Sequence, residues 1–173
     1  VDWLKERRLR ALCKRELRAL GVRSPLPVEE LCRLLGESRG RPLRLMPYPL
    51  EVPGPYGAWV STPTADYVFF QQETTKTHQD HIILHEVGHM LARHHNESCD
   101  DLVWSEQTLD LSPKTIDRAL RRTLYDDTQE REAETIATII MEWTVCDGTA
   151  APPACDAALT DVRSALGDSR GLL

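Results

Sequence analysis

A chain of 173 residues with 41% hydrophobic content is long enough for one compact domain with its own core and short for two, so a single site is expected. The net charge of -6 hides an asymmetry, because residues 1–44 carry 12 Lys/Arg against 6 Asp/Glu while the remainder carries 9 against 21. An acidic body argues against wrapping nucleic acid, no run of 18 apolar residues offers a membrane span, and the start Val1-Asp2-Trp3-Leu4-Lys5 lacks the features of a signal peptide; a cytoplasmic protein with no membrane and no direct nucleic-acid partner is therefore expected.

In chain order, Leu4, Leu9, Leu12, Cys13, Leu17 and Leu20 recur at helical spacing, and Gly21 supplies a stop. The charges of that helix (Lys5, Arg7, Arg8, Arg10, Lys14, Arg15, Arg18) read as a solvated face. A short second helix is expected over Val28 to Leu35 and a short strand over Pro42 to Leu45. Two β-rich runs, 56–61 and 67–71, flank Thr62-Pro63-Thr64-Ala65-Asp66 and predict a hairpin. The stretch 78–94 holds no Pro and one Gly, with Ile83, Val87, Met90 and Leu91 in an apolar stripe, and predicts a helix. Ser112-Pro113 starts another, to about Thr123, and a last long helix, about 128–144, turns Ala133, Ile136, Ala137, Ile140 and Trp143 inward. Residues 146–173 read as a linker, one peripheral helix and a tail. The five cysteines (13, 32, 99, 146, 155) are odd in number, scattered and without a C-x-x-C pair, which suits reduced thiols.

The chemistry concentrates in His85-Glu86-Val87-Gly88-His89. Residues four apart on a helix share a face one turn apart, so two imidazoles can meet one ion, and Glu86 falls to the side, where it can take a proton from an attacking water and return it to a leaving amine. Gly88 weakens a helix interior, so its presence suggests the close approach of another backbone. A catalytic zinc takes three protein ligands and keeps one position open. His95 stands where a third histidine falls in the longer H-E-x-x-H-x-x-G-x-x-H pattern, but Ala92 replaces the turning glycine, and a continuous helix would carry His95 about 15 Å along the axis from His85. Glu130, Glu132 and Glu134 on the last helix also compete. Periodicity puts Glu130 and Glu132 at opposite borders of the apolar face and Glu134 farther out, and leaves the first two unseparated. Glu130 can also be read as the N3 partner of a capping box begun by Asp127. His78 and His81 extend the histidine stripe toward the helix start, and Tyr125 and Tyr67 are candidate donors to a developing oxyanion.

H-E-V-G-H at 85–89 together with E-R-E-A-E-T-I-A at 130–137 resembles the ImmA/IrrE family of zinc metallopeptidases, whose second motif has the form E-x-x-A-x-x-x-A; the hairpin and the two N-terminal helices are also similar. The resemblance spans about residues 1–145. It implies an α+β, zincin-like domain in which N-terminal helices (1–37) and a small, mostly antiparallel sheet (41–72) precede the metal-binding helices (77–145). It also implies Zn2+ held by His85, His89 and Glu130, with Glu86 as catalytic base and Ala133 and Ala137 as small packing positions. Glu134 and Thr135 depart from the family's usual Asn and basic residue, and Ile140-Met141-Glu142 replaces its Leu-Met-Pro. The implied activity is endopeptidase hydrolysis of a specific protein partner, a helix-turn-helix transcriptional repressor, whose strand would add to one arm of the hairpin. A non-cleaving, metal-stabilised module that sequesters a regulator is the alternative, and an intact Glu86 speaks against it.

Overall fold

The computed structural model describes residues 3–50, 54–94 and 125–145. Among them are four helices, α1 (Trp3–Ala19), α2 (Val28–Ser38), α3 (Lys76–Ala92) and α4 (Asp127–Val145), and three strands, β1 (Leu43–Tyr48), β2 (Gly57–Ser61) and β3 (Asp66–Gln71). The class is α+β as expected. The helix expected over 112–123, His95 and the tail lie outside the described residues.

The sheet corrects one expectation. Its order is β1-β3-β2, with β2 antiparallel to β3 and β1 parallel to it, so it is mixed and not mostly antiparallel. The hairpin is present. Thr62 closes it, its N–H donating to the Ala65 carbonyl at 2.9 Å while its hydroxyl accepts the Ala65 N–H at 3.1 Å. β1 then lies on the other edge of β3 in register Leu43↔Asp66 to Tyr48↔Gln71, running the same way. β3 is thus central, and every one of its residues is buried. Its first residue, Asp66, is a fully buried carboxylate held by Arg39, Arg41 and the Trp59 indole N–H. That leaves β2 with a free outer edge among the described residues, and removes the arm 67–71 as a template for an added strand.

One sheet face, through Val68 and Phe70, joins the main core with Cys13 and Leu17 of α1, Leu31 and Leu35 of α2, Ile83, Val87 and Met90 of α3, and Ile136 and Ile140 of α4. The other face carries a smaller cluster of Ala58, Val60, Tyr67 and Phe69. Cys13 and Cys32 are free and buried, and burial pushes their thiols up to about 11 and about 12. The basic face of α1 is not wholly solvated: Lys5 pairs with Glu132 at 2.6 Å and Arg10 reaches Glu142 at 3.6 Å, both on α4. No described helix is long and apolar enough to cross a membrane.

The α3–α4 crossing positions everything that follows, and Gly88 permits it. A Cβ there would stand 2.7 Å from the Ala133 carbonyl oxygen and 2.9 Å from its Cα. Both obstacles are backbone of a fully buried residue, so the helices would have to part. Gly88→Ala gains about 1 kcal/mol of helix propensity and loses about 1 to 3 kcal/mol to overpacking. We expect a net destabilisation of up to about 2 kcal/mol in urea unfolding; a stabilised variant would contradict the close approach.

Candidate metal centre

α3 begins where the Thr75 hydroxyl accepts the His78 N–H at 3.3 Å. It ends at Ala92, two residues short of the expected His94, because Arg93 turns into the left-handed region at φ 57, ψ 41. Within it, His85 and His89 stand one turn apart with their Nε2 atoms 3.0 Å from each other. From α4, Glu130 brings Oε2 to 3.2 Å from His85 Nε2 and Oε1 to 3.8 Å from His89 Nε2. Donors placed tetrahedrally about 2.0 to 2.1 Å from one ion lie about 3.3 to 3.4 Å apart, close to the 3.0 Å between the two Nε2 atoms and the 3.2 Å from His85 Nε2 to Glu130 Oε2; the 3.8 Å contact of His89 is with the other oxygen, Oε1. These three residues could hold a metal ion.

The surroundings suit such an ion. His89 is fully buried, and burial first, then His85 and His94, lower its pKa to about 3, so that a neutral ring offers its lone pair. Tyr125 stacks on that ring, centroids 3.6 Å apart and planes 14° from parallel. Glu86 lies on the sheet side of the triangle. The Trp59 backbone N–H donates to its carboxylate, and its Oε2 is buried with no hydrogen-bond partner among the described residues. Burial, seconded by the charge of Glu130, pushes its pKa up to about 8. A carboxyl so buried and half-satisfied is costly, and a cation in the adjacent triangle would offset the cost. Gly57 of β2 makes room for it: a Cβ there would meet Glu86 Oε1 at 2.9 Å and Ile82 Cγ2 at 2.6 Å.

α4 sorts its three glutamates. The helix is capped by Asp126, not Asp127: Asp126 Oδ1 accepts the N–H groups of Thr128 and Gln129 at 2.7 and 2.8 Å, and the Gln129 side chain accepts the Asp126 N–H at 3.1 Å. The capping box is therefore Asp126–Gln129, which leaves Glu130 to the histidines. Glu134, four residues on, shares that face and accepts from His81 Nε2 at 3.1 Å and His85 Nδ1 at 3.4 Å. Glu132 points to the other border, to His94 and Lys5.

The donors open onto a cleft of about 450 Å³ walled by Tyr56, Gly57, His78, His81, Ile82 and Tyr125. A groove of about 710 Å³ continues on the far side of Glu130 and Glu134, against Lys5 and Leu9 of α1. Of the weaker candidates, His78, His81 and Tyr125 line the cleft, while Tyr67 lies buried in the small cluster behind the sheet and lines neither. His94 is a site residue that spacing does not single out. It follows the helix, and no glycine or asparagine marks the reversal at Arg93 that brings it back. In comparisons with known proteins, no protein-family model, no curated protein and no solved structure matches the chain.

Proposed function

We propose that the chain is a zinc-dependent endopeptidase of zincin-like fold, akin to the ImmA/IrrE family, that works in the cytoplasm and cuts a peptide bond in one protein partner, a helix-turn-helix repressor. The observation that carries this reading is Glu86, a buried carboxyl with one oxygen unpartnered among the described residues, beside two imidazoles and a carboxylate. A site built only to bind has no use for a base there. The mixed nitrogen and oxygen donors suit Zn2+, which when bound supplies Lewis-acid polarisation of the scissile carbonyl and of the attacking water.

His85, His89 and Glu130 would hold that ion beside the cleft. Glu86 takes the proton of the attacking water and returns it to the departing amine. Burial raises the pKa of this carboxyl, and a neighbouring cation favours the carboxylate that a base must be. Among the described residues no strand pairs with the outer edge of β2, which begins at Gly57 beside Glu86 and, apart from the Trp59 N–H taken by Glu86, offers backbone groups to an extended peptide. Tyr125 and His81, on the cleft wall, are the candidate hydrogen-bond donors to the developing oxyanion.

The test incubates the purified protein and Zn2+ with a candidate helix-turn-helix regulator and follows the regulator by mass spectrometry. One discrete cut, abolished by a chelator and restored by Zn2+, is expected. A regulator that is bound and stays intact would favour the sequestering module instead.

A further inference from the structure

Behind the donor triangle a chain of polar contacts leads from His89 to the N-terminal helix. His89 Nδ1 is 3.0 Å from His94 Nδ1, His94 Nε2 is 3.1 Å from Glu132 Oε2, and Glu132 Oε1 is 2.6 Å from Lys5 Nζ. We propose that His94, Glu132 and Lys5 form a positioning relay that fixes the ring and the tautomer of His89 and so ties α1 to the metal centre. The inference rests on the reading of His89 as a ligand through Nε2.

The backbone is bent to make the first contact. Arg93 adopts a left-handed conformation that a residue with a Cβ enters at a cost, held there by the His94 N–H on the His89 carbonyl (3.0 Å) and its own N–H on the Met90 carbonyl (3.2 Å). The reversal folds His94 back onto His89, ring centroids 5.1 Å apart at 67°, and buries it to 6% exposure. An imidazole that merely filled space there would not have both nitrogens on polar partners.

The proton positions follow from the partners. A ring that gives its Nε2 lone pair to an ion carries its proton on Nδ1. That N–H donates to His94 Nδ1, whose own proton is then on Nε2 and donates to Glu132. Within His89, His94 and Glu132, reversing either ring sets two protons or two lone pairs against each other across about 3 Å, whereas the facing Nε2 lone pairs of His89 and His85 suit a shared ion. Lys5 holds the far carboxylate in place, which gives one member of the basic head a task at the site. The relay also gives Glu132 partners of its own, His94 and Lys5, apart from the donor triangle.

The relay is tested by measuring Zn2+ affinity against a chromogenic chelator for wild type, His94→Leu and His94→Asn, with circular dichroism as a folding control. His94→Leu is expected to weaken Zn2+ binding by about 10- to 100-fold with the fold kept. His94→Asn is expected to recover most of that, because its side-chain oxygen can accept near the place of Nδ1. Long-range 15N correlation of the imidazoles in the metal-free wild type is expected to report the Nδ1–H tautomer of His89. Affinities equal within about twofold across the three proteins, or an Nε2–H tautomer at His89, would overturn the relay and leave the metal centre standing. A wild type that takes up no Zn2+ would fail the ligand reading instead, and the tautomer alone would then decide the relay. Should His94→Leu not fold, Glu132→Leu, which leaves His94 Nε2 no acceptor, replaces it: weakened Zn2+ binding supports the relay, and unchanged binding overturns it.

Discussion

Glu86→Gln is expected to abolish hydrolysis while leaving Zn2+ and the partner bound. The amide keeps the shape of the carboxyl but cannot take a proton, and loss of a general base typically costs 10²- to 10⁴-fold in rate, or about 2.7 to 5.5 kcal/mol of barrier. Because Glu86 is not among the three converging donors, Zn2+ content should stay near one per chain. The same substitution makes a second, independent prediction in the metal-free protein. A carboxyl whose pKa rises from an ordinary value near 4.3 when unfolded to about 8 when folded holds its proton more tightly in the folded state. Wild-type stability must then fall as pH rises from about 4 toward 8, and be lowest above the folded value. Glu86→Gln removes that slope. Urea midpoints at pH 5 and pH 8 check it: the wild type should lose stability over the interval relative to the variant, by an amount that added Zn2+ restores. Equal hydrolysis by both proteins would take Glu86 out of the mechanism.

The second large effect is on the metal. A structural zinc site yields about 10 to 16 kcal/mol from four ligands, so one donor is worth on the order of 2.5 to 4 kcal/mol, and Glu130→Gln or His89→Ala should weaken Zn2+ binding by about 10²- to 10³-fold. Glu130→Gln is the cleaner variant, since its side chain is 46% exposed and takes no part in the helix cap, so the fold should not notice it. His89→Ala also removes a buried ring from beneath Tyr125 and from the contact with His94, and some loss of stability accompanies it. Competition with a chelator checks both. Wild-type affinity in Glu130→Gln would move the third ligand elsewhere.

How much of this was legible in the residues depends on whether local geometry decides. The pairing of His85 with His89 is fixed by helix periodicity alone, and Gly88 announces a close backbone because nothing else justifies it in mid-helix; Ala133 is that backbone. Glu130 and Glu132 flank one apolar face, and periodicity cannot say which border meets α3. That is settled by the crossing at Gly88–Ala133 and by the cap at Asp126–Gln129, both tertiary or one residue away from the expected place. The direction of β1 was hidden for the same reason. A hairpin is written in its turn, whereas parallel pairing of β1 with β3 depends on contacts between segments over twenty residues apart. His94 was hidden most deeply, because an arginine gives no sign of a left-handed turn.

Anomalous scattering measured on both sides of the zinc absorption edge, from crystals of the wild-type chain grown with Zn2+, tests the central claim most directly. One peak is expected, present above the edge and absent below it, about 2.0 to 2.1 Å from the Nε2 atoms of His85 and His89 and from a carboxylate oxygen of Glu130, with Glu86 beside it and not bonded to it. No peak within that triangle, or a peak held by His81 and Glu134 or ligated by Glu86, would contradict it.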